Sequence, residues 1–310
     1  MSKAPEMTVA RGETFTAEEI REELPQWKPI EKQAGLIDGL WVALNAAATI
    51  VIVTLSDPQL RKSQVMVAMW HFTATFFVLL AATHRRWRMF TPVWLPVLKV
   101  IPLSAFFAAF LVLSNLSLAM NPILTTPAVV VINFLLFNQR TSRERLLAVL
   151  LSCLGVGLVS IQSFQSNLYG TVVACAAFIT TACYQIWIGK KIIDLEVDAP
   201  QLLLNQSATA VCLLLPVAVV VDTFPNFATV PSRALLLLIG GGLVASFLNL
   251  SQFMIIGRTS ALTFNIVSNV KMVVILSLGW YSEGKVLNAL DVGGVLMAFA
   301  GAWVYARKSS

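Results

Sequence analysis

Apolar residues run along this chain in long blocks separated by short polar breaks. Ten blocks are long enough to span hydrocarbon, at about 38–56, 64–83, 99–118, 121–137, 145–163, 168–189, 202–221, 233–256, 262–281 and 287–306. The breaks carry turn and charge signals such as "SDPQLRK", "HRRWRM", "NQRTSRER", "KKIIDLEVDAP" and "DTFPNFATVP". None of the blocks shows the two-residue alternation of a membrane β-strand. Buried in lipid, each backbone N–H and C=O needs a partner within its own segment, so the pattern predicts an all-α integral membrane protein with ten transmembrane helices. Residues 1–36 break the pattern: the first 35 hold five Lys/Arg and seven Glu, without the apolar run of a secretory signal. They are expected to form a cytoplasmic, largely disordered tail, with a helical turn or two at 16–24 where "TAEE" resembles an N-cap. Residues 37–308 form the helical domain.

Composition agrees with the pattern, since 57% of residues are hydrophobic and only 12% are charged. The distribution of that charge orients the chain. Loops on the side of the termini carry twelve Lys/Arg against four opposite, so the positive-inside bias places both termini in the cytoplasm. With the five in the tail, that accounts for all basic residues but Lys271. The acidic residues all fall in the tail, in loops or at helix ends. Mid-membrane charge therefore reduces to one lysine, in "FNIVSNVKMVVILSLGW" (264–280).

A lysine at that depth costs about 2.5–3.5 kcal/mol on insertion scales. Without an intramembrane carboxylate it has two outcomes open to it: it is carried neutral, or it faces water and meets an incoming anion. An anionic small-molecule substrate, most simply a phosphate ester, fits the second. The four cysteines lie singly in apolar runs and the two histidines have no partner at helical spacing, so neither a metal nor another cofactor is expected. The absence of an acid–base cluster makes a membrane enzyme the weakest reading, and proton-coupled carriage needs a relay that His71 alone would have to supply. Anion exchange needs none. The expected partners are thus an anionic solute and the bilayer, with no nucleic acid. Small-residue runs at 240–242 and 294–301 suit close helix packing, within the chain or across a homodimer.

Further polar residues inside the spans give the remaining candidates. Asn265 and Asn269 share one face at i and i+4, roughly 120–160° around the helix from Lys271. Tyr184 and Gln185 precede "IWIGKK", which places Lys190 about 9 Å further along, at the cytoplasmic helix end.

Four stretches, "TTPAVVVINFLLF" (125–137), "YQIWIGKK" (184–191), the run 249–280 and "GGVLMAFAGAWVYARKS" (293–309), resemble the nucleotide-sugar and triose-phosphate translocators of the drug/metabolite transporter superfamily. The branch containing solute carrier 35 member E3 looks most similar. The resemblance implies two inverted five-helix repeats, alternating access around a central site, and Golgi or endoplasmic reticulum residence. It implies antiport of a nucleotide sugar against a nucleoside monophosphate, not enzymatic activity. By the same resemblance Lys271 holds substrate phosphate, and Tyr184, Gln185 and Lys190 line the cavity. Plastid sugar-phosphate members carry Lys-Arg here, whereas Met272 follows Lys271, which favours a nucleotide-linked sugar. Two departures stand out: "LSLAMNPILTTP" lacks the fourth-helix Tyr-Gln-x-x-Lys segment, and "TIVIVTLSDPQ" lacks the first-helix Asn-Lys-aromatic element. They keep open a carrier of another phosphorylated anion, or a non-transporting paralogue.

Overall fold

A computed structural model describes residues 7–8, 14–15, 35–55, 63–86, 89–116, 130–132, 141–160, 168–224 and 231–309. Two compact units divide the chain, residues 1–30 and 31–310. Where the sequence suggests a largely disordered tail, the first unit contains a short antiparallel ladder, β1 (Met7–Thr8) against β2 (Thr14–Phe15), pairing Met7 with Phe15. The turn expected at 16–24 lies outside the described residues.

The second unit is helical throughout its described elements: α1 (Leu36–Leu55), α2 (Gln64–Ala82), α3 (Val97–Leu116), α4 (Arg143–Ser160), α5 (Leu168–Asp194), α6 (Ala199–Val221), α7 (Ser232–Arg258), α8 (Ala261–Glu283) and α9 (Ala289–Ser309). These nine match nine of the ten expected spans to within a few residues. The remaining span, 121–137, falls mostly outside the described residues, with 130–132 helical. One boundary differs in a way that matters: α5 runs past Lys190 to Asp194. Ile188 is fully buried and Ile192 packs against the same core, so burial of this apolar face carries the helix one turn beyond the basic pair. Five helices, α2 and α6 to α9, are long and apolar enough to cross a membrane, and α1 and α3 contain shorter apolar stretches of the same kind. The protein is a multi-pass membrane protein.

Outward stripes are apolar, as lipid contact requires. Leu236, Ile239, Leu243 and Phe247 are exposed on one side of α7, and Leu147, Leu150 and Leu154 on α4. Inward faces form two principal cores. One joins α2, α3, α5, α6 and α7 through residues such as Phe72, Phe107, Tyr184, Leu203 and Phe253. The other joins α4, α5, α8 and α9 through Val149, Ile186, Ile266 and Tyr305, and Val156, Val273 and Ala298 extend the α4–α8–α9 contact.

Lipid tails are as apolar as leucine, so these helices gain little from excluding water and depend on close approach. Among the glycines of the described residues the closest approach is where α4 crosses α9. A methyl group on Gly155 would lie 2.3 Å from the Ala298 backbone N, and one on Gly301 would lie 2.5 Å from that of Ser152. The small-residue run 294–301 is therefore used within the chain. In the 240–242 run, Gly242 makes room for Trp70, whose indole N–H donates to the Leu238 carbonyl at 2.8 Å.

Polar contacts join helix ends in the pattern that alternating crossings demand. Val65 and Met66 N–H donate to the Asp222 carboxylate, tying the start of α2 to the end of α6. At the opposite end of the same pair, Gln201 and Asn205 grip the segment before α3 through the carbonyls of Thr91 and Val93 and the N–H of Leu95. The Arg258 guanidinium donates to buried Asp38, joining the end of α7 to the start of α1.

Overpacking costs about 1–3 kcal/mol per site. Gly155→Leu and Gly301→Leu should therefore lower the melting temperature of the detergent-solubilised protein. Gly293→Ala, where nothing lies within 4 Å, should leave it unchanged. Equal shifts in all three variants would contradict the α4–α9 crossing.

Candidate functional site

Helix α8 carries the mid-membrane lysine and is well delimited. Ser260 caps its start by accepting from the Thr263 N–H at 3.1 Å, and Gly284 closes its end with φ 66°, a left-handed conformation suited to glycine. With both ends fixed, the polar side chains of α8 take defined directions.

Lys271 points toward α1. Its Nζ donates to Asn45 Oδ1 at 2.5 Å and to Thr49 Oγ1 at 3.3 Å. The Phe264 ring lies 5.3 Å from Nζ, one heptad back and about 20° off the same face. No carboxylate approaches the ammonium among the described residues. Asp38 is held by Arg258, Asp222 by the start of α2, and Asp291 by Lys285 at 3.1 Å, each at a helix end. The lysine thus has neutral oxygen partners, and its third N–H has none among the described residues.

The orientation of Asn45 is determined by its other contacts. Its amide Nδ2 donates to Ser251 Oγ at 2.8 Å and to the Leu248 carbonyl at 3.3 Å, both on α7. The carbonyl end must then face Lys271. Asn45 is completely buried, and nothing in the sequence separated it from the other intramembrane asparagines. A neutral acceptor 226 residues away leaves no trace in spacing or charge.

Asn265 and Asn269 point elsewhere, as their helical angles predict. Asn265 Nδ2 donates to Gln185 Oε1 on α5 at 2.5 Å and to its own-helix Ala261 carbonyl at 2.8 Å. Asn269 Nδ2 reaches Ser152 Oγ on α4 at 3.4 Å. Helix α8 therefore contacts α1, α5 and α4 through three separate polar bridges. Tyr184, next to Gln185 but turned away from it, accepts from Gln206 Nε2 at 2.8 Å and packs 5.5 Å from the Phe107 ring. It sits in the α3–α5–α6 core, apart from the contacts of Lys271. Lys190 lies 5.9 Å from the Trp187 ring. The structure brings Gln185 and Asn265 together; it does not bring Tyr184 or Lys190 to Lys271.

A surface depression of about 620 Å³ is lined by Phe77, Leu80, Ala81, Thr83 and His84 at the C-terminal end of α2. It shares no residue with the polar bridges of α8. Among the described residues no group of His, Cys, Asp or Glu could hold a metal ion.

Interhelical hydrogen bonds in membranes average about 0.6 kcal/mol and reach about 1.7. A double-mutant cycle of Gln185→Leu and Asn265→Leu, read by unfolding free energy, should return a coupling of that size. Strict additivity would contradict the Gln185–Asn265 bridge.

Comparison with known proteins adds the following. The Triose-phosphate Transporter family matches residues 33–306. The UDP-rhamnose/UDP-galactose transporter 2 of Arabidopsis thaliana is 28% identical over 184 residues, covering 58% of this chain and 53% of that protein. The chain thus spans about half the length of that relative. The UDP-rhamnose/UDP-galactose transporter 3 of the same plant is 24% identical over 285 residues, covering 86% and 81%. The UDP-xylose transporter 1, also from Arabidopsis thaliana, is 25% identical over 288 residues, covering 88% and 84%. A solved crystal structure shares the fold at a TM-score of 0.66 and 14% identity, covering 88% of this chain and 97% of its own.

Proposed function

We propose that this chain, which belongs to the Triose-phosphate Transporter family, moves a nucleotide sugar across a Golgi or endoplasmic reticulum membrane in exchange for a nucleoside monophosphate. Its family is one of transporters, and the chain is a transporter rather than an enzyme. One observation carries the proposal: a lysine halfway along a spanning helix, held by neutral oxygens, whose third N–H has no partner among the described residues. A phosphate would meet that ammonium with full charge complementarity, which Asn45 and Thr49 cannot offer. Relatives that carry UDP-linked rhamnose, galactose or xylose make a uridine nucleotide sugar the reading of choice.

The site is proposed to centre on Lys271, with Gln185, Asn265 and Asn269 along the α8 flank and with Tyr184 and Lys190 of α5 toward its cytoplasmic side. The domain is proposed to be ten helices in two inverted five-helix repeats, with both termini cytoplasmic. Helix pairing supports this internal relation. Exchanging α1 with α5, α2 with α6, α3 with α7 and α4 with α9 turns the α1–α7 contact into α5–α3 and the α2–α7 contact into α6–α3. It returns the α2–α6 and α4–α9 contacts to themselves. Exchanged helices stand five crossings apart, an odd number, so each member of a pair crosses in the opposite direction. Alternating access around the Lys271 level follows from such a repeat. A homodimer remains part of this proposal, with the 294–301 run packed within the chain against α4.

A hydrogen bond to a charged group is worth about 1.5–3 kcal/mol, or roughly 10- to 100-fold. In proteoliposomes preloaded with UMP, Lys271→Ala should lower the uptake of labelled UDP-galactose or UDP-xylose by at least about tenfold, and Lys271→Arg should retain a measurable part. Uptake unchanged by Lys271→Ala contradicts the phosphate role.

A further inference from the structure

Resting on that reading of Lys271, we propose that Asn45 and Thr49 form a latch that occupies the lysine when the site is empty and that substrate phosphate displaces, so that the carrier exchanges instead of leaking. The acceptors on α1 are built for this. Asn45 is fully buried and its amide N–H groups are committed to Ser251 Oγ and the Leu248 carbonyl, which leaves only Oδ1 for Lys271. Thr49 donates its own hydroxyl proton to the Asn45 carbonyl at 2.7 Å, so it too presents lone pairs to the ammonium. The ammonium has three protons, and the latch takes two. A phosphate first meets the third N–H, and its full coordination by Lys271 takes the two N–H groups that the latch holds, so latch and anion compete.

The latch joins helices that are otherwise differently packed. α1 lies chiefly along α7, tied to it through Asn45 and through the Asp38–Arg258 pair. α8 packs with α4 and α9 around Val156, Val273 and Ala298, meets α7 as well, and touches α1 only slightly. A bond from Lys271 to α1 therefore joins two helices that share little packing of their own. Alternating access requires helices to move relative to one another, and loosely packed neighbours such as α1 and α8 are where a single bond opposes that movement. With the site empty the latch opposes that movement; with phosphate bound the latch is open and the movement is free. An empty carrier that cannot return forces each inward step to be followed by an outward load. That is the condition for obligatory exchange.

The test uses the full chain in proteoliposomes, with labelled UDP-galactose outside and vesicles either preloaded with UMP or empty. The quantity read is the ratio of net uptake, into empty vesicles, to exchange uptake. Asn45→Ala with Thr49→Val should raise this ratio at least about tenfold, equivalent to about 1.4 kcal/mol. Thr49→Val alone keeps Asn45 in place and should raise it less. Asn45→Asp should act with the opposite sign, turning the latch into a permanent ion pair that raises the KM for UDP-galactose by about tenfold or more. A merely structural Asn45 would instead make both Asn45 variants lose flux alike, with the ratio unmoved. A ratio at the wild-type value in Thr49→Val and in the double variant overturns the latch while leaving the transporter reading intact. Wild-type protein that exchanges no nucleotide sugar overturns both.

Discussion

A lysine ammonium placed halfway along a membrane-spanning helix must be solvated by something, and among the described residues no carboxylate lies at its depth to do it. Asp38, Asp222 and Asp291 are committed at helix ends, where each holds a basic side chain or a helix start. Lys271 is left with two neutral oxygens from α1 and an aromatic face from its own helix. Neutral acceptors hold the charge in place without cancelling it. The net positive charge is therefore still available to a ligand, and that availability is what the proposed binding of a phosphate depends on.

Helix packing around the lysine is uneven, and the unevenness has a physical basis. Close crossings such as α4 on α9 use glycine and other small residues to bring backbones together, giving dispersion contact where the hydrophobic effect gives none. Polar bridges such as Gln185–Asn265 and Lys271–Asn45 join helices that touch less. Tight apolar crossings move as units, whereas a few hydrogen bonds can be exchanged for others when a ligand brings its own. In the proposed transport cycle the close crossings stay together and the polar bridges change partners.

Much of this was legible in the sequence. Long apolar blocks with charged punctuation gave nine helices to within a few residues, because a spanning helix has to be both long and apolar. Charge counting isolated Lys271, and helical angles placed Asn265 and Asn269 off its face, as their contacts with α5 and α4 bear out. What the sequence concealed was pairing across distance. Asn45, the latch residue, is one asparagine among many, and only tertiary structure shows it turned by Ser251 and Leu248 toward the lysine. Tyr184 and Gln185 are neighbours in sequence, yet one helical step sends them into different interfaces. The extension of α5 past Lys190 likewise depends on burial of Ile188 and Ile192 against helices distant in sequence. Of the two departures from the family pattern, "LSLAMNPILTTP" lies outside the described residues after Leu116, and "TIVIVTLSDPQ" is described as helix to Leu55.

The central claim is that Lys271 engages a substrate phosphate. Ligand that binds only the folded state raises thermal stability by mass action, so the melting temperature reports binding directly. With purified wild-type protein, UDP-galactose and UMP should raise the melting temperature while uridine and galactose at equal concentration should not, and Lys271→Ala should lose the rise. A rise with uridine equal to that with UMP, or a full rise in Lys271→Ala, would contradict the account.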